Sequence, residues 1–76
     1  MGEVELELRL GEIVREHRLI AGLTQKELAQ KTGMSQPAIA RLEAGGAEPT
    51  VTTLRRIAAA LNVDLVVEFH ERAGAA

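Results

Sequence analysis

The chain contains no cysteine, no tryptophan and no tyrosine, and Phe69 is its single aromatic residue. Without cysteine there is no disulfide framework and no thiolate metal site. His17 and His70 lie too far apart in sequence to form a zinc pair, so no metal is expected. No run approaches the roughly 20 apolar residues that a membrane span needs. Met1 to Leu8 carry three glutamates and no basic side chain, the reverse of a secretory signal, so a cytoplasmic location is expected. Nucleophile–base pairings, metal-ligand clusters and phosphate loops are equally missing, and the expectation is a non-enzyme without cofactors.

What is present is aliphatic. Of the 76 residues, 46% are hydrophobic, nearly all Leu, Ile, Val and Ala, which favours helices. The length suits one domain over residues 1–76. So short a chain buries a modest share of its surface, and pairing with a second copy is a direct way to gain core. The net charge of −2 argues against nucleic acid until its distribution is considered. Between Ile13 and Ile57, seven basic side chains stand against four acidic ones. The two ends together hold Arg9 and Arg72 against seven acids. The middle is mildly basic, as a local anion-binding face requires.

Leu10, Ile13, Val14, His17 and Ala21 recur at helical spacing and predict a first helix over roughly Glu7 to Ala21, stopped by Gly22. Ahead of it, "EVELEL" alternates acid and aliphatic, which suits a short strand or an extension of the helix. Thr24 followed by Glu27 is a capping box opening a second helix, with Leu28 and Ala29 inward and Gly33 closing it. Ser35 reads as the N-cap of a third helix. Gln36 and Pro37 are then its first two residues, where proline costs no hydrogen bond. With no N–H on Pro37, the Ser35 hydroxyl is expected to cap Ala38. Ile39 and Leu42 turn inward, Gln36, Pro37, Ala40 and Arg41 share the other face, and Gly45 ends the helix. After the loop "GGAEP", Thr50 caps a fourth helix (about 50–61) with a stripe of Val51, Leu54, Ile57, Ala58 and Leu61, and Asn62 ends it. "VDLVVEF" then alternates and predicts a strand over about 63–69, followed by a frayed "RAGAA" tail.

Two short helices joined by a glycine-containing turn, about 24–44, form a helix-turn-helix unit. On "GLTQKELAQKTGMSQPAIARLEAG" followed by "PTVTTLRRIAAALNV", about Leu10 to Val63, the chain resembles the repressor/Cro-type (XRE-like) helix-turn-helix family. The resemblance implies a mainly α fold, a four- to five-helix repressor-like DNA-binding domain, to which the pattern adds the C-terminal strand. It also implies that the third helix enters the major groove of duplex DNA. Carried over position by position, Gln25 bonds a phosphate, Gln36 pairs with adenine, and Arg41 reads guanine or grips a phosphate. Lys26 and Ser35 are implied backbone contacts, with Ala40 on the same face. Pro37 and Glu48 depart from the family pattern. Pro37 offers only apolar contact, and Glu48 stands where many relatives carry a base. Arg18 and Glu43 are implied to form a partly buried structural ion pair. Lys31, Arg55 and Arg56 read as solvated charges, and His17 as a half-buried helix residue.

The modest basic count makes binding to a palindromic operator as a homodimer the expectation, with Leu65, Val67 and Phe69 at the interface. Among relatives of this kind the pattern is most like the HigA and HipB antitoxins of type II toxin–antitoxin operons. That resemblance implies autorepression and neutralisation of a small basic toxin. The alternatives are a phage-type or restriction-modification controller without a toxin, and a protein-interaction module that has lost DNA binding.

Overall fold

The computed structural model describes residues 3–73, with side chains placed from Leu6 onward. Four helices follow in order: α1 Glu3–Ile20, α2 Gln25–Thr32, α3 Gln36–Glu43 and α4 Val51–Leu61. Residues 74–76 of the expected tail lie outside the described residues.

The helix starts follow from hydrogen bonds that the first turn cannot make for itself. Thr24 Oγ1 accepts from Glu27 N at 3.0 Å, and Glu27 Oε1 accepts from Thr24 N at 2.9 Å, closing the capping box of α2. Ser35 Oγ accepts from Ala38 N at 3.2 Å, the donor left once Pro37 has none. Thr50 accepts from Thr53 N at 3.1 Å at the head of α4. The ends use left-handed residues: Gly33 at φ 72° after α2 and Asn62 at φ 57° after α4. α3 closes slightly earlier than the sequence predicts, with Ala44 as C-cap and Gly45 beyond it at φ 80°. Thr32 is buried. Its hydroxyl reaches back to the carbonyls of Leu28 (2.9 Å) and Ala29 (3.1 Å), so the buried side-chain oxygen is hydrogen-bonded.

Val14, Leu28, Ala29, Ile39, Leu42, Ile57 and Leu61 form one core contributed by all four helices, with Leu28 and Ile39 fully enclosed. Burying such a side chain contributes about 1.5–3 kcal/mol. α1 meets α3 at Gly11, where a Cβ would stand 2.5 Å from the Leu42 carbonyl oxygen and 2.7 Å from that of Glu43. Backbone cannot yield to such an overlap, so only glycine lets these helices approach so closely.

Of the two alternatives open for the N-terminal stretch the structure takes the helix, and the expected C-terminal strand is absent. "EVELEL" is the first part of α1, which starts at Glu3 and not near Glu7. Glu and Leu are strong helix formers, and the alternation brings no partner strand to compensate. Leu8, one turn in, lies directly over Gly45, where a Cβ would meet it at 2.6 Å. The C-terminal strand expected over 63–69 is likewise not formed, and no described residue is in a β-strand. A strand exists only as one side of a ladder, and the four-helix body offers no edge to pair with. Val63 and Leu65 instead lie beside a cleft of about 120 Å³ between α1 and α4, lined also by Leu10, His17 and Leu54. Beyond them Val66, Val67 and Phe69 are uncovered. Within α4, Val51 also lies on the surface, so the buried stripe runs from Ile57 to Leu61.

Candidate nucleic-acid interface

The three residues Gly33, Met34 and Ser35 separate α2 from α3. Gly33 donates its N–H to Ala29 O, and Met34 N–H reaches the same carbonyl at 3.1 Å, so the turn is tied to the end of α2. On the far side, Ile39 and Leu42 are buried and fix how α3 rolls on the core. That roll leaves Ser35, Gln36, Pro37 and Arg41 exposed on one face, with Ala40 half-buried among them. The helix thus presents one amide, one hydroxyl, one guanidinium and a flat apolar ring along a single edge, a donor-rich surface suited to base edges and phosphates.

Arg41 makes a bond of its own to the loop that follows α3. Its Nη2 donates to Gly46 O at 3.4 Å, while its own carbonyl accepts from Gly46 N at 2.8 Å. The guanidinium is therefore leaned toward the α3–α4 loop, where Glu48 shares an apolar-floored cleft of about 230 Å³ with it. Lys26 is exposed on α2, one residue past its start.

Behind this face lies the ionic centre of the domain. Arg18 Nε donates to Glu43 Oε2 at 2.7 Å and Nη2 donates to Oε1 at 3.0 Å, a two-pronged contact between α1 and α3. A third donor, Nη1, bonds Leu23 O at 2.8 Å, securing the loop that leads into α2. The two side chains are 10% and 4% exposed. The hydrogen bond and charge of Glu43 together raise the Arg18 pKa against the opposing effect of burial, so the guanidinium stays charged. Gln25, placed by the sequence on a phosphate, is half-buried, and its Nε2 donates to Glu43 Oε1 at 3.3 Å. The structure thus brings Gln25 to the ion pair, while Gln36 and Arg41 stand apart from it. Leu65, Val67 and Phe69 sit on the C-terminal segment, away from this cluster in sequence and without regular structure.

Sequence reasoning passed over Gly11 and Thr32. The signal at Gly11 was an isolated glycine inside a helical pattern, which often marks close packing. Thr32 gave no signal beyond its place one residue before Gly33. No group of three or more His, Asp or Glu side chains among the described residues gathers as a metal site. No described helix is long and apolar enough to cross a membrane.

A pair of short capped helices joined by a glycine turn, with the second presenting a polar edge, is a helix-turn-helix DNA-binding domain. The chain belongs to the helix-turn-helix family HTH_3, which matches residues 14–67, and with it to the DNA-binding transcriptional regulators. It is 45% identical over 49 residues to an HTH-type transcriptional regulator of Methanothermobacter thermautotrophicus, covering 64% of this chain and 71% of that protein. A 10 kDa protein of the ImmF control region of Bacillus phage phi105 is 37% identical over 59 residues, 78% of this chain and 66% of the phage protein. An HTH-type regulator of Mycobacterium tuberculosis is 34% identical over 84% of this chain, which spans 45% of its length. Among solved structures, the restriction-modification controller protein C.AhdI of Aeromonas hydrophila superposes with a TM-score of 0.80 at 23% identity, over 84% of this chain and 93% of that one. The clp gene regulator ClgR of C. glutamicum does so at 0.77 and 30% identity, over 79% and 77%.

Proposed function

We propose that this protein is a cytoplasmic, non-enzymatic repressor that binds a palindromic operator as a homodimer, with α3 in the major groove. The observation that carries this reading is the single polar edge of Ser35, Gln36, Pro37 and Arg41, held outward by the buried Ile39 and Leu42. Gln36 and Arg41 read bases, while Gln25, Lys26 and Ser35 hold phosphates. Ala40 and Pro37 supply apolar contact. Selection of bound duplexes from a random library, followed by footprinting, tests it directly. The expected site is an inverted repeat with half-site centres about 34–36 Å apart. Failure to retain any duplex at low salt would reject the reading in favour of a protein-interaction module.

Dimerisation is assigned to the C-terminal segment, because Leu65, Val67 and Phe69 have little of their own chain to cover them. Deleting everything after Asn62 is expected to give a folded monomer with weakened operator binding, measured by solution mass and titration. A truncated chain that still dimerises would overturn the assignment.

The reading as a stand-alone phage-type regulator without a toxin is supported by the likeness to the phage control-region protein. The antitoxin reading has its own support. The apolar residues of the segment are interspersed with Asp64, Glu68 and Glu71, a combination that suits a basic protein partner. Co-expression with the product of the adjacent reading frame distinguishes the two. A stable complex that requires residues 63–73 favours the antitoxin, and its absence favours the simple regulator.

A further inference from the structure

The Glu43 side chain is largely covered, yet its carboxylate serves both the ionic centre and the first residue of α2. Oε2 is taken by Arg18 Nε, whereas Oε1 accepts from both Arg18 Nη2 and Gln25 Nε2. We infer that Glu43 is a positioning residue for DNA binding. Locked by Arg18, it holds the Gln25 carboxamide so that its second N–H is presented to a phosphate. The inference rests on the assignment of Gln25 to phosphate contact proposed above.

Three features support it. A glutamine side chain has several free torsions and loses much rotamer freedom when a ligand orders it, so an anchor already in place reduces that loss. Glu43 is a firm anchor because its side chain is only 4% exposed and is gripped by two guanidinium nitrogens. The amide has two N–H donors and a carbonyl, and Glu43 engages one of those donors. Charge matters as well. A bare carboxylate behind a phosphate contact would repel the DNA, and the Arg18 guanidinium cancels it, leaving a neutral support at the open end of α2.

The test is a cycle of Gln25→Ala with the paired replacement Arg18→Met/Glu43→Leu, a swap of ions for apolar groups that folded domains often tolerate. Binding is measured to a mixed-sequence duplex at low salt, because a phosphate contact acts on every sequence. Thermal unfolding is followed in parallel. Gln25→Ala is expected to weaken binding on the order of tenfold. The paired replacement should weaken it about three- to tenfold, and adding Gln25→Ala should bring the total only to the loss of Gln25→Ala alone. Its salt dependence should match the wild type, since one charge of each sign is removed. Normal binding by Gln25→Ala would overturn the phosphate assignment itself. A clear effect of Gln25→Ala beside normal or additive behaviour of the paired replacement would overturn the positioning role alone. Should the paired replacement not fold, Arg18→Lys takes its place in the cycle. Lysine keeps the charge but cannot hold the carboxylate with two prongs, and the same non-additivity is expected.

Discussion

The four-helix body and the C-terminal segment carry similar residues and meet different fates. α4 and the segment after Asn62 are both rich in Val, Leu and Ala or Phe, and both place apolar residues at a regular period. In α4 that period turns Ile57, Ala58 and Leu61 into a core assembled from the other three helices. After Asn62 the period is that of a strand, and no described part of the chain supplies a partner. A helix satisfies its backbone alone, whereas a strand must borrow half of its hydrogen bonds. The body buries its apolar stripe, and the segment leaves Val66, Val67 and Phe69 exposed.

The sharpest way to break this comparison is to truncate one apolar residue on each side. Leu28→Ala is expected to lower stability by about 2–5 kcal/mol, since it opens a cavity in a sealed core. Phe69→Ala, at concentrations where the chain is monomeric, should leave the denaturation midpoint unchanged. Comparable losses would show that the segment belongs to the fold. Next in size is Gly11→Ala, where the new methyl meets two carbonyl oxygens and should cost about 1–3 kcal/mol in chemical unfolding. A neutral result would mean that α1 can slide on α3. Gln36→Ala and Arg41→Ala are expected, on the proposed reading, to act on DNA binding and to leave the body intact. Each is expected to weaken operator affinity by about 1–3 kcal/mol and relax base preference, with an unchanged melting curve. Unaltered preference in both variants would remove α3 from the reading role.

The smallest effect concerns pH. Glu27 is held below the ordinary carboxylate range, first by the Thr24 backbone N–H and then by the Thr24 hydroxyl. A depressed folded value means that its stabilisation is fully present above the unfolded value. It is lost as pH falls through the folded one. Glu27→Gln should therefore flatten the acid limb of a stability–pH profile slightly, and an unchanged limb would assign acid sensitivity elsewhere.

Much of the body was legible because its signals are local. Thr24 with Glu27, Ser35 with Pro37, and Gly33 each dictate a hydrogen bond or a left-handed residue within four positions of themselves. The C-terminal strand failed for the opposite reason. Alternation from Val63 to Phe69 specifies which face is apolar but not whether a neighbouring strand exists. The start of α1 stayed open between two readings, because Glu and Leu satisfy both a period of two and a helix. At the site, the resemblance brought Arg18 and Glu43 together on paper, but nothing in sequence links Gln25 to Glu43 across 18 positions. Such a bond depends on how the helices meet, and Gly11, which lets α1 approach α3 closely, has no side chain to announce itself.

Pro37 has a consequence for how the exposed edge of α3 behaves in time as well as in space. Its ring fixes φ near −65° at the exposed front of α3, beside Gln36. The free protein therefore holds the leading turn of this helix in few conformations before any duplex arrives. On the proposed reading, encounter with DNA selects among orientations of a stiff edge, with little rearrangement of the backbone. In calorimetric terms, replacing Pro37 by alanine should appear chiefly as a larger entropic penalty of binding, even where the lost ring contact is small.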